Sequence, residues 1–234
     1  MGPFCVYAWQ NYQGTVGYCT GNCAVSETID TQQQWERFGT ALMTDVLSGG
    51  DPATDIVVDF GLHVGWYSVT AAKLGYKVFA WETDPENISV AKRNAATHGC
   101  ELTVTNAWVD ETLPPFDTED RRVRFLKADI EGNEQHAIAA FDHMFATRSV
   151  DAAMVEISPV FNGSYPDLVE HICGYGYDVC WVPDGSFADL PEFFESPVEF
   201  VRSRWTIPAE GRREMVAGLH QADFVFFPTE QGQR

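Results

Sequence analysis

The chain is short of positive charge: 15 Lys and Arg stand against 34 Asp and Glu, a formal net charge of −19 over 234 residues. Nucleic-acid binding normally draws on a basic stripe that neutralises phosphates, so no nucleic-acid partner is expected. The charge reads instead as a solvated acidic surface that favours solubility. No apolar run approaches the ~18 residues of a membrane span. The start, Met1-Gly2-Pro3-Phe4-Cys5, has no basic n-region, so no signal peptide is expected either. Val6 stands where an acylation motif after Gly2 needs Ser or Thr. Paired cysteine motifs are lacking too. Cys5, Cys19, Cys23, Cys100, Cys173 and Cys180 are dispersed, and the single C-x-x-x-C pair is a poor zinc signal. Free thiols in a reducing cytoplasm are the expectation. Also missing is the G-x-G-x-x-G loop that lets a backbone touch a pyrophosphate.

What is present centres on Ile56-Val57-Val58-Asp59-Phe60-Gly61-Leu62-His63-Val64-Gly65. Three consecutive aliphatic residues read as a strand buried on both faces, as in parallel sheets. An acid and two spaced glycines follow, at a turn where glycine permits positive φ and close approach of a ligand. A small-molecule site at the end of the first strand of an open α/β sheet is the consequence. Asp59 would repel a diphosphate but suits a ligand with a cationic amino-acid moiety, such as S-adenosylmethionine. Glu82 ends a second apolar strand, Lys77 to Trp81, about the ~20 residues downstream expected of an acid that binds ribose hydroxyls.

Along the chain, residues 1–30 carry many aromatics and glycines and read as an irregular segment or lid, with one domain over 31–234. Asp30 or Thr31 can cap a helix through Trp35, Phe38, Leu42 and Val46. Thr83-Asp84-Pro85-Glu86 opens another helix, with Pro85 in its first turn. Further strands are expected at 101–105, 123–128, 152–157, 177–182 and 222–227, with a helix from Asn133 to Phe145; residues 183–218 resist assignment. Strands alternating with helices predict an α/β, doubly wound, mostly parallel sheet of Rossmann-like type.

In that order the strings VVDFGLHVGWYS, FAWETDPEN, NAWVDE and FLKADIEGNE resemble the signature segments of FkbM-type S-adenosylmethionine-dependent methyltransferases. The resemblance covers Ile56 to Ile157. It departs at Leu62-His63, where the family usually has a small residue and Asn. It implies the class I methyltransferase fold and transfer of a methyl group to a hydroxyl of a sugar, glycolipid or natural-product-like small molecule. Asp59 with Gly61, His63 and Gly65 would then face the methionine part of the cofactor and Glu82 the ribose. Trp108 or Val109 would contact the adenine face, with Asp110 accepting from its exocyclic amine.

An alcohol needs a base to take its proton as the new bond forms. Asp129 or Glu131, at the end of the fourth strand, is the first choice, with Glu156 at the next strand end beside them and His63 as another candidate. Glu134 reads as a first-turn acid favourable to the helix dipole. Lys127 either orients the acids or is a strand-edge charge. No metal is assigned, although the three carboxylates offer an alternative in which a divalent cation lowers the hydroxyl's pKa. Two other readings stay open: methyl transfer to nitrogen, and a non-catalytic protein that retains the fold, for which His63 is the motive.

Overall fold

Strand β1 (Asp55–Phe60) is buried along its whole length, as its unbroken aliphatic run requires. Ile56, Val58 and Phe60 point into one hydrophobic cluster and Val57 into another, so the strand lies in the middle layer of three. The computed structural model describes residues 35–118, 120–158, 165–182, 196–219 and 221–229. The expected irregular segment or lid at 1–30, with the candidate caps Asp30 and Thr31, lies outside them.

The described elements run α1 (Arg37–Ser48), β1, α2 (Trp66–Lys73), β2 (Lys77–Glu82), α3 (Pro85–Thr97), β3 (Thr103–Asn106) and β4 (Arg122–Ala128). They continue with α4 (Glu134–Ala140), α5 (Asp142–Ala146), β5 (Ala153–Ile157), α6 (Tyr165–Gly174), β6 (Tyr177–Trp181), α7 (Pro197–Arg204), α8 (Arg212–Ala217) and β7 (Ala222–Pro228). The strands form one seven-stranded sheet in the order β3-β2-β1-β4-β5-β7-β6. Strands β3, β2, β1, β4 and β5 pair in parallel, and β7 enters antiparallel between β5 and β6. The doubly wound, mostly parallel expectation is what the structure has.

One cluster packs Leu42, Met43 and Val46 of α1, Val69 of α2 and Val201 of α7 against Val57, Phe125, Met154 and Val225 of the sheet. The other packs Ile138 of α4, Phe145 of α5 and Ile172 of α6 against Ile56, Val58 and Phe60. Each such side chain, fully removed from water, is worth ~1.5–3 kcal/mol. The helix expected over 133–145 is interrupted at Phe141. Its ring is fully buried, 5.8 Å from that of Phe60 and 5.2 Å from that of Phe116, and holds the break. The stretch that resisted assignment contains α7 and α8. Ser196 caps α7 by accepting from Glu199 N–H, and donates to Asp45 of α1, which joins the two helices.

Helix α3 begins as its sequence predicts, with Asp84 accepting from Glu86 N–H at 2.7 Å and Pro85 at the first position. No helix among the described residues is long and apolar enough to cross a membrane. Cys100, Cys173 and Cys180 are free thiols; the other three cysteines lie outside the described residues.

Candidate active site

The carboxyl ends of β1, β2, β4 and β5 open into a cavity of about 590 Å³. Strand parity decides what faces it. Asp59 pairs in register with Lys127, Lys127 with Met154, and Glu156 with Asp223. These residues share the sheet face covered by α1, α2 and α7, while the alternate positions feed the opposite core.

The turn after β1 is fixed by backbone hydrogen bonds. Gly61 and Leu62 N–H both donate to Trp81 C=O at 3.1 Å, and Asn94 donates to Val64 C=O. Gly61 has φ 93°, and a Cβ there would stand 2.0 Å from the Asp129 carbonyl oxygen, so only glycine fits where the β1 and β4 ends meet. Gly65, also expected to face the cofactor, does not line the cavity. Its left-handed turn caps α2, and its missing Cβ makes room for Ala91 of α3.

Asp59 is 2% exposed. One carboxylate oxygen accepts from Ser68 Oγ at 2.6 Å, while Oδ1 is buried with no partner. Burial pushes its pKa up to about 6, against the opposing pull of Ser68 and Lys127. Unpaired buried oxygens are rare and call for a reason. Asp59 itself lines the cavity, where the ammonium of an amino-acid moiety would supply a donor. Glu82 accepts from His63 N–H at 2.8 Å through Oε2 and from Thr83 and Asp84 N–H through Oε1. A carboxylate has about four acceptor sites, so Oε2 retains capacity for a ribose hydroxyl. The residues therefore fit S-adenosylmethionine at both places the sequence assigns.

Trp108 is 64% exposed and lines the cavity, as does the buried Val109. Asp110 does not line it; its carboxylate turns back to Thr112 N–H and Oγ1, which hold its pKa down.

At the other end stand the acids. Lys127 is buried in a central strand, so it is not an edge charge; its Nζ pairs with Asp129 at 2.8 Å and lies over the Tyr67 ring. Burial opposes its charge, but Asp129, Glu36 and Asp223 outweigh that and hold its pKa well above the usual value. Burial likewise pushes Asp129 up, and the charge and hydrogen bond of Lys127, with help from Glu156 and His63, bring it below the ordinary carboxylate range. Glu156 moves the other way: burial and then the charge of Asp129 raise it to about 9, and its carboxyl also accepts from Gln221. The two acids thus share one proton, with Asp129 ionised and Glu156 protonated near neutrality.

Glu131 lines the cavity from an exposed position with φ 54°. Asp129, Glu131 and Glu156 each bring an oxygen within 4.8 Å of the others, the grouping from which the sequence offered a divalent cation. Glu134 stands in the first turn of α4, as expected, and does more there. It is 1% exposed and accepts from Ile130 and Gly132 N–H and from Tyr165 O–H, so its carboxylate is the template around which the Asp129–Asn133 turn folds.

Sequence reasoning missed Glu36, Tyr67 and Asp223. Tyr67 donates to Glu36 at 2.6 Å, and Glu36 lines the cavity with φ 40°. Burial raises Asp223 to about 7. Of the five non-glycine residues with positive φ among those described, Glu36, His63 and Glu131 line this cavity. Such outliers gather where function over-determines the backbone.

No family model matches the chain, and no curated protein matches it. Among solved structures it is similar to an rRNA methylase from Streptococcus thermophilus, at 11% identity over 80% of this chain and 94% of that one, with a TM-score of 0.51. It is also similar to magnesium protoporphyrin IX methyltransferase from Synechocystis, solved with bound S-adenosylmethionine, at 12% identity over 95% and 90% of the two chains, with a TM-score of 0.47. The seven-stranded sheet, its reversed last strand and the likeness to the rRNA methylase give the chain the Rossmann-like fold of class I methyltransferases.

Proposed function

We propose that the protein is an S-adenosylmethionine-dependent O-methyltransferase acting on a hydroxyl of a small molecule, of the sugar, glycolipid or natural-product kind. The observation that carries the cofactor assignment is Asp59, a buried carboxylate that lines the cavity and whose Oδ1 has no partner. Asp59 would hold the ammonium, Glu82 the ribose hydroxyls and Trp108 with Val109 the adenine face.

S-adenosylmethionine supplies an activated methyl group, whose bond to sulfur breaks with the electron pair left on sulfur as the bond to oxygen forms. Asp129 accepts the hydroxyl proton. It is ionised at neutral pH and keeps a hydrogen bond from the protonated Glu156. Lys127 holds Asp129 in place through their 2.8 Å ion pair. A base of this kind contributes ~10²–10⁴-fold, and orientation of the acceptor supplies much of the rest.

The resemblance to FkbM-type enzymes supports a hydroxyl acceptor. RNA, which the Streptococcus neighbour's name implies for that protein, fits poorly with a net charge of −19.

Calorimetric titration with S-adenosylmethionine and S-adenosylhomocysteine tests the cofactor assignment. Micromolar binding that weakens at least about tenfold in Glu82→Ala, ~1.4 kcal/mol, is the expected result. Failure of the wild-type protein to bind either compound refutes it.

A further inference from the structure

Asn87, in the first turn of α3, is polar where that helix turns its buried face to the glycine loop. The residue is 8% exposed and lines the cavity, and its Oδ1 is buried with no hydrogen-bond partner among the described residues. A buried amide oxygen left unpaired costs stability, so its presence calls for a reason. Capping is not the reason, because Asp84 already caps α3 by accepting from Glu86 N–H.

Holding the loop is not the reason either. Asn87, Ala91 and Asn94 follow at i, i+4 and i+7, so they share one face of α3, and all three are buried. Asn94 donates to Val64 C=O at 2.9 Å, and Ala91 fills the space left by the missing Cβ of Gly65. Those two residues fasten the loop between β1 and α2. Asn87 lies one turn nearer the carboxyl ends of the strands, where the same face reaches the cavity.

The surroundings narrow what its carboxamide would meet. Glu82 and His63 line the same cavity, and the Glu82 carboxylate accepts from His63 N–H and from Asp84 N–H, the cap of α3. An ionised carboxylate only accepts. A hydroxyl that donates to it keeps lone pairs of its own, for which an amide N–H is the matching donor. A neighbouring hydroxyl can in turn donate to the amide oxygen, so a vicinal pair satisfies both halves of the carboxamide. An anionic ligand group would be repelled by Glu82, and a cation would leave the amide N–H unmet.

We infer that Asn87 is a further recognition residue for the ribose of the cofactor, its carboxamide pairing with the vicinal hydroxyls that Glu82 also binds. The inference rests on the methyltransferase reading and adds to its cofactor site a neutral residue that reads hydroxyls alone.

The test uses the full chain, with S-adenosylhomocysteine and its 2′-deoxy and 3′-deoxy analogues as probes, titrated into wild type, Asn87→Ala and Asn87→Leu. Both substitutions should weaken S-adenosylhomocysteine by about three- to tenfold, the worth of one neutral hydrogen bond. The preference for it over at least one deoxy analogue should fall by the same factor, because amide and hydroxyl act as a pair. Thermal unfolding of the ligand-free proteins gives an independent reading. A side chain that held the loop would lower the Tm on removal, whereas losing an unpaired amide should leave it within about 4 °C of wild type or above it. If Asn87→Leu overfills its place and does not fold, Asn87→Ala carries both readings. Unchanged affinity in both variants, or equal weakening of all three probes, overturns the inference. A Tm lowered by more than about 4 °C in both does the same. Each of these leaves the Glu82→Ala test of the cofactor site standing. If wild type does not bind S-adenosylhomocysteine at all, the methyltransferase reading fails and this inference falls with it.

Discussion

Replacing Asp59 by asparagine should change the pH dependence of stability and remove cofactor binding together. In the folded protein the Asp59 carboxyl titrates at about 6 instead of its ordinary 3.8, because burial penalises the charge. The native state therefore holds this proton more tightly than the unfolded chain does. Stability from that proton is present below about pH 4 and is lost as the pH rises through 6. The full loss is about 3 kcal/mol, of which about 1.5 kcal/mol falls between about pH 5 and about pH 8. Asparagine keeps an acceptor for Ser68 and carries no charge. Urea unfolding of both proteins across that range reads the effect, since the acids that do not interact with Asp59 cancel in the difference. The stability of Asp59→Asn minus that of wild type should climb with pH by the stated amount and then level off. Cofactor binding by the wild type should weaken below about pH 6, by up to tenfold per pH unit, and should be lost in the variant. A difference in stability that is flat with pH would refute the claim that Asp59 carries a buried, uncompensated charge.

Gly61→Ala forces a left-handed residue to take a Cβ 2.0 Å from a backbone oxygen; a loss above about 4 kcal/mol, seen as failure to fold or a collapsed Tm, is expected. Asp129→Asn should lower the methyl-transfer kcat by at least about 100-fold, whereas Glu156→Gln, which preserves a neutral donor to Asp129, should stay within a few-fold of wild type. If radiolabelled methyl transfer shows the reverse order, Glu156 is the base. Trp108→Ala should leave stability within about 0.5 kcal/mol, because the ring is exposed. It should nonetheless weaken S-adenosylmethionine by about tenfold or more if the indole stacks on adenine; an unchanged Kd removes Trp108 from the site.

That Asp59, Gly61, His63 and Glu82 gather at one cavity was legible in sequence because these parts are local. A strand that is aliphatic throughout, an acid at its end, a glycine at the turn and an acid one βα unit later are each set within a few residues of their neighbours. Gly65 and Asp110 show the limit of that locality, since spacing alone does not say whether a glycine relieves a helix contact or an Asp turns back on its own backbone. The cluster around Asp129 was readable only in part. Asp129, Glu131 and Glu156 stand out as strand-end acids. The burial of Lys127 follows from β4 lying between β1 and β5, which nothing near Lys127 in the sequence reveals. Glu36 reaches the cavity through the packing of α1 and α2, and Asp223 comes beside Glu156 through the register of β7 on β5. Both are long-range facts, and so is the internal break at Phe141.

The reversed strand has a consequence for the order in which the protein can assemble. β7 follows every other described strand in the chain, yet it lies between β5 and β6 and hydrogen-bonds to both. A nascent chain can pair β3, β2, β1, β4 and β5 by successive crossovers as they emerge, and so can build the Gly61 turn and the Glu82 carboxylate early. Until β7 arrives, β5 is an open edge and β6 has no neighbour in the sheet, two exposed templates for mispairing with another chain. Asp223 and Gln221 arrive with that same segment. The wall of the cavity that Gln221 supplies is thus completed last, so the step that seals the sheet also closes the cavity on that side.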